Sequence, residues 1–185
     1  MAATPSNMIP LGTKAPDFTL PDTVSDNILS LDMLKGEKAT VIMFISNHCP
    51  YVKHLNNQLA AIAKDYKQKS IAFIAISSND VENYPADAPD KMKETATVEG
   101  YTFPYLYDES QQVAKDYDAA CTPDFYVFNN ELRLVYRGQF DDSRPSNGIM
   151  PSGKDLCNAL DAILSNNEIS PAQSPSIGCN IKWKK

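Results

Sequence analysis

The sequence predicts an α/β fold built on a mixed sheet, and three observations carry that expectation. Two apolar, β-branched runs, Val41 to Ile45 and Ile71 to Ser77, are too short for buried helices and read as strands covered on both faces. Between them Val52, Leu55, Leu59, Ile62 and Tyr66 recur at steps of three and four, which marks one face of a helix. Strand, helix and strand at this spacing form a βαβ unit, so the two strands run parallel with a right-handed crossover. Phe125 to Phe128 and Leu132 to Tyr136 are strands joined by Asn129-Asn130-Glu131, a hairpin signal that adds antiparallel pairing.

The remaining elements follow in chain order. Residues 1–14 read as a loose arm, and Ala15 to Leu20 as an extended segment bounded by Pro16 and Pro21. Ile28 to Leu31 alternates weakly and is a second short strand. Asp32 is the expected N-cap of a brief turn, Met33 to Lys35, ended by Gly36. After the βαβ unit, Asn79 to Pro89 is rich in Asn, Asp and Pro and reads as a loop. A helix begins at Asp90 and stops near Gly100; Phe103 to Tyr107 is a short strand. Ser110 caps a helix carrying Val113, Ala114 and Tyr117. Gln139 to Ser152 is a polar loop. Gly153 to Leu164 is the last helix, with Leu156, Leu160 and Ile163 on its core face. The tail, residues 166–185, contains Pro171 and Pro175 and little periodic pattern, so the folded domain is expected over residues 15–165.

Composition narrows the function classes. A chain of 185 residues suits one domain with a real core. Its net charge of −6 disfavours nucleic acid, which rewards a basic face. No apolar run approaches the length of a membrane span. Met1 to Pro10 lacks the basic start and apolar core of a signal peptide, which points to the cytoplasm. The four cysteines, Cys49, Cys121, Cys157 and Cys179, are widely and irregularly spaced. In that compartment pairing is expected to be catalytic and transient, or absent.

Chemistry concentrates at Ser46-Asn47-His48-Cys49-Pro50, where the first buried strand hands over to the helix. Proline suits the first helical turn because its missing N–H would be unpaired there anyway. Cys49 therefore sits at or beside the N-cap. Free N–H groups and the positive end of the helix dipole favour an anion at that place, and the anionic form of cysteine is the nucleophilic thiolate. His48 is adjacent and Lys53 lies one turn along, so both are expected to favour the thiolate further. The competing reading, a small buried apolar residue, fits poorly with the polar flanks. Cys157 follows Leu156 on an amphipathic helix and reads as structural. His48, Cys49 and His54 lack the paired spacing of a zinc site, so neither a metal nor another cofactor is expected.

Four segments in order carry a resemblance. The strand, Ser46 to His54 and the helix resemble the active-site segment of the thioredoxin superfamily. Ala15-Pro16-Asp17-Phe18-Thr19-Leu20-Pro21 is similar to the start of redoxins, the alkyl hydroperoxide reductase and thiol-specific antioxidant branch. Cys121-Thr122-Pro123-Asp124-Phe125 stands where thioredoxin folds carry a cis-proline. Pro175 to Trp183 resembles the tail of a small peroxiredoxin-like subgroup. The resemblance implies a thioredoxin-like fold with a central mixed sheet, helices on both faces and an N-terminal extension. It also implies that the loop at Thr122 and Pro123 faces the active-site cysteine.

That resemblance implies a thiol-dependent oxidoreductase, more peroxiredoxin-like than thioredoxin-like. Cys49 would attack a hydroperoxide or disulfide, with Cys121, Cys179 or an external thiol or thioredoxin-type reductant resolving it, in a monomer or homodimer. Ser46 stands where a C-x-x-C motif has its first cysteine; peroxiredoxins have Thr or Ser there, able to hydrogen-bond the sulfur. Ile42 stands where peroxiredoxins have a proline, so the chain is intermediate between the two patterns. Such peroxidases also hold an arginine beside the thiolate. Arg137, which ends a strand, and Arg144, in Asp141-Asp142-Ser143-Arg144-Pro145, are the candidates, while Arg133 reads as a solvated ion pair. The alternative from another class is a non-catalytic binding module that has lost its dithiol at Ser46.

Overall fold

The computed structural model describes residues 3–185. Three short strands come first: β1 (Ala3–Pro5), β2 (Thr19–Pro21) and β3 (Ile28–Ser30). A single turn, α1 (Leu31–Leu34), is capped by Ser30, whose Oγ accepts from the Met33 N–H at 3.3 Å. The sequence pointed to Asp32 as this cap. Asp32 instead lies inside the turn and pairs with Lys35, because the helical geometry starts two residues earlier.

The βαβ unit is β4 (Ala39–Phe44), α2 (Pro50–Lys67) and β5 (Ile71–Ser77). A 3-10 turn, Pro85–Asp87, interrupts the loop that follows. Then come α3 (Pro89–Val98), β6 (Tyr105–Tyr107), α4 (Gln112–Asp116), β7 (Cys121–Thr122), β8 (Asp124–Asn129), β9 (Leu134–Gly138), α5 (Lys154–Leu164) and β10 (Ile177–Asn180). The N-cap position of α4 is Gln111, one residue beyond the expected Ser110, in the left-handed region at φ 63°; its side chain makes no capping bond, while the Ser110 Oγ accepts from the Gln112 N–H at 3.2 Å. The Gln111 side chain reaches instead to the Ser78 and Lys182 carbonyls.

The main sheet has the order β6-β5-β4-β8-β9. β4 runs parallel to β5 and antiparallel to β8, and β8 pairs antiparallel with β9, so the sheet is mixed. Every residue of β4 is buried, as expected of a central strand covered on both faces. Side chains alternate across a strand, and β4 divides them accordingly. Val41 and Met43 join a core with Val52, Leu55 and Leu59 of α2, Met92 of α3 and Leu156 and Leu160 of α5. Ile42 and Phe44 join a second core with Leu31, Val113, Ala114, Tyr117 and Tyr126. Helices therefore cover both faces. Among the described residues no helix is long and apolar enough to cross a membrane.

A second, three-stranded sheet has the order β1-β10-β7. It draws together the N-terminal arm, the C-terminal tail and the segment before Pro123. Ala3 stands opposite Cys179, and Cys179 opposite Thr122, both antiparallel. The arm and tail thus contain strands where the sequence offers no periodic pattern.

Candidate active site

The site is built where β4 ends. Ile45 and Ser46 continue the buried path, Asn47 and His48 turn the chain, and Cys49 is the N-cap of α2 with φ −68° and ψ 120°. Pro50 occupies the first helical position. The Cys49 thiol lies 3.1 Å from the Thr122 carbonyl oxygen and 2.9 Å from the Cys179 sulfur. Both cysteines are free. The Thr122–Pro123 peptide bond is cis, the geometry the resemblance implies. Three stretches remote in sequence, the start of α2, β7 and β10, therefore converge on one sulfur. Cys49 is wholly buried, at 0% exposure. The polar flanks argued against a buried cysteine in the sequence, and they did not reveal this cover because the tail strand supplies it.

A carboxylate that the sequence did not single out organises the turn before Cys49. Asp87, at the end of the 3-10 turn, has no exposure. Its Oδ2 is 2.6 Å from His48 Nδ1 and accepts from Asn79 Nδ2 at 2.7 Å. Its Oδ1 accepts from the Asn47 N–H at 2.7 Å and the His48 N–H at 3.3 Å. Burial raises the Asp87 pKa, but the hydrogen bonds from His48 and Asn79, the charge of His48 and the Asn47 N–H outweigh it, and the net shift is downward. The His48 ring stacks on Tyr84, with centroids 5.4 Å apart. Sequence reading passed over Asp87 because it shares one loop with Asp80, Glu82 and two asparagines, and Asp90 follows directly. Only the fold shows which of these carboxylates turns inward to the active-site turn.

The other predicted site residues divide. Ser46 is buried beneath the turn, but its Oγ lies 3.2 Å from His48 Nδ1 and 3.3 Å from both Asp87 oxygens. Its hydroxyl is engaged there and makes no bond to the Cys49 sulfur, contrary to the expectation. Lys53 is exposed on the first turn of α2, along an open groove shared with Asn47, His48 and Asn56. Arg144 lies in a narrow crevice with Tyr51, His54 and Pro123. Its guanidinium donates to the carbonyls of Asp141 and Ser143 at 2.7 and 2.6 Å and to the side chain of Gln139.

Arg137 is placed away from the thiol. It has no exposure, and it donates to Asp124 Oδ2 at 3.1 Å and to the Asp118 carbonyl at 2.9 Å. Its guanidinium lies 4.3 Å over the Tyr126 ring. Tyr126 belongs to the core on the sheet face opposite the one holding Cys49. A buried arginine needs a charged partner, and Asp124 takes that part here.

The remaining cysteines differ in setting. The Cys121 sulfur lies 3.7 Å from the Pro123 carbonyl, and the residue faces Asn180 across the ladder. Burial, then the neighbouring Asp124, pushes its pKa up. Cys179 is raised to about 12, first by burial and then by the hydrogen bond and charge of Cys49. Cys157 is half-buried on α5, and burial again raises its pKa.

The fold that carries this site is thioredoxin-like. The thioredoxin domain of a thiol-disulfide oxidoreductase from Bacteroides vulgatus superposes with a TM-score of 0.65 at 19% identity, over 85% of this chain and 99% of that one. Within that class the chain belongs to the AhpC/TSA family, whose model matches residues 11–137. Two solved structures are much more similar. An uncharacterized conserved protein from Geobacillus kaustophilus is 55% identical, with a TM-score of 0.98 over 100% of this chain and 97% of that one. A hypothetical protein from Sinorhizobium meliloti is 48% identical, with a TM-score of 0.95 over 98% of each chain. No curated protein matches the chain.

Proposed function

We propose that the protein is a thiol peroxidase in which Cys49 is the nucleophile and Cys179 the resolving thiol. The observation that carries this is the 2.9 Å contact between the two sulfurs at the N-terminus of α2. Family membership supports a redox role for it. Helix N–H groups favour the thiolate at Cys49. The thiolate attacks one oxygen of a hydroperoxide: an S–O bond forms, the O–O bond breaks, and the leaving alkoxide takes up the proton that the thiol released. Cys49 is then a sulfenic acid. Cys179 attacks its sulfur, a disulfide forms, and the hydroxyl leaves as water with the Cys179 proton. An external dithiol returns both cysteines to thiols and is itself oxidised to a disulfide.

One feature favours Cys179 over Cys121. Cys179 touches the Cys49 sulfur, whereas the Cys121 sulfur is directed to the Pro123 carbonyl. With its pKa raised to about 12, Cys179 keeps its proton near neutral pH. His48 and Ser46, held by Asp87, fix the turn that presents Cys49, and Thr122 and Pro123 form the opposite wall. Arg144 is the remaining arginine candidate beside that wall. A reducing compartment such as the cytoplasm suits a cycle in which this pairing is transient.

The test is peroxide consumption by wild type and Cys49→Ser with dithiothreitol as reductant, with mass spectrometry after stoichiometric peroxide. Consumption should depend on Cys49, and a peptide joining Cys49 to Cys179 should appear. Equal rates would put the non-catalytic binding module in front.

A further inference from the structure

β10 occupies the place that an extended substrate would need. A polypeptide that docks on an exposed strand edge adds to it by backbone pairing. The edge beside Cys49 is the backbone of Cys121 and Thr122, and the chain's own Asn180 and Cys179 already pair with it. The Ile181 N–H extends the contact by donating to the Ala120 carbonyl at 3.2 Å. Gly178 makes the close approach feasible: a Cβ there would lie 1.9 Å from the Thr122 oxygen. Just past the strand the Lys182 N–H donates to Asn79 Oδ1 at 2.8 Å, and its carbonyl accepts from the Asp80 N–H at 2.8 Å and from Gln111 Nε2 at 2.8 Å. On the other side β1 pairs along the strand from Ile177 to Cys179. The outcome is that neither sulfur faces solvent: Cys49 is 0% and Cys179 2% exposed.

We infer that β10 is a specificity-determining element that admits small oxidants to Cys49 and excludes polypeptide disulfides. The inference rests on the reading of Cys49 as nucleophile. A polypeptide disulfide must break the β10–β7 ladder and lift Cys179 and Ile181, both buried, before its sulfur reaches Cys49. A small hydroperoxide or disulfide needs an opening only a few atoms wide. With a small disulfide the chemistry balances within the site. Cys49 thiolate attacks one sulfur and releases one thiolate, and Cys179 then displaces the second, leaving the Cys49–Cys179 disulfide and two reduced fragments. The same exchange with a polypeptide disulfide differs only in what must fit.

The experiment compares hydroxyethyl disulfide with insulin as oxidants of reduced, full-length wild type and Gly178→Ala, following Cys49–Cys179 bridging by mass. Wild type should favour the small disulfide, and Gly178→Ala, which forces β10 off Thr122, should shrink that preference about tenfold. Equal wild-type rates for the two disulfides overturn this inference alone, and that comparison does not depend on the variant folding. An undiminished preference in a folded Gly178→Ala also overturns it. No Cys49-dependent reaction with either disulfide or with hydrogen peroxide overturns the nucleophile reading and this inference with it.

Discussion

At the scale of single residues, Asp87 controls the turn that presents Cys49. Its carboxylate accepts from Asn47, His48 and Asn79 with no access to water. Asp87→Asn leaves a buried amide donor where an acceptor was required, a change that costs about 2 kcal/mol. The pH dependence has a definite sign. The folded-state pKa is lowered, so the stability it contributes is present above the unfolded value of about 3.9 and is lost as pH falls through the lower folded value. Urea unfolding of wild type and Asp87→Asn should differ at neutral pH and converge in acid; a constant difference down to strong acid would remove the linkage. Ser46 offers a second handle. Ser46→Cys places a thiol three residues before Cys49 and beside Asp87. It should raise reduction of hydroxyethyl disulfide above the rate that Cys49 and Cys179 support by adding a second thiol partner at the helix start, and an unchanged rate would show that the turn does not support C-x-x-C chemistry. The sequence made Cys49 and Ser46 legible because helix-start chemistry is local. It left Asp87 hidden because the partners of a buried carboxylate are set by a fold that brings residues 46–48 to residue 87.

At the scale of elements, the βαβ unit is the part of the molecule most legible in the sequence. Its strands and helix are long, and their periodicity survives any uncertainty at the ends. Leu59 shows why the pattern is strict: it is 1% exposed and packs α2 against β4 within the first core. Leu59→Ala should therefore lower unfolding stability by about 2–5 kcal/mol; a loss under half a kcal/mol would mean that α2 is held by something other than this face. β1, β7 and β10 were not legible for the opposite reason. They have three, two and four residues, too few for a period to register. Their stability comes from one another across most of the chain length, and only Gly178, needed for the approach to Thr122, leaves a trace in the composition. Arg137 belongs with them: from the end of a strand it could have faced either core, and its place was decided by Asp124 and Tyr126.

At the scale of the whole molecule, the disulfide that the proposed cycle forms between Cys49 and Cys179 would tie the C-terminal strand to the domain. Cys49 and Cys179 are 130 residues apart in sequence, yet their sulfurs touch. A disulfide between them encloses most of the chain. Closing so long a loop removes conformational entropy chiefly from the unfolded state, and the chain-entropy relation gives about 5 kcal/mol for a loop of this size. Native geometry already brings the sulfurs together, so the bond forms without large movement of either strand. Oxidised wild type should therefore unfold at a distinctly higher denaturant concentration than reduced wild type. The difference should vanish in Cys179→Ser and persist in Cys121→Ser, because Cys121 faces Asn180 rather than Cys49. Paired urea titrations of the three proteins, each oxidised and reduced, with the bridged peptides mapped in each, decide the matter. An oxidised form no more stable than the reduced one, or a bridge mapped to Cys121, would detach the tail from the redox cycle.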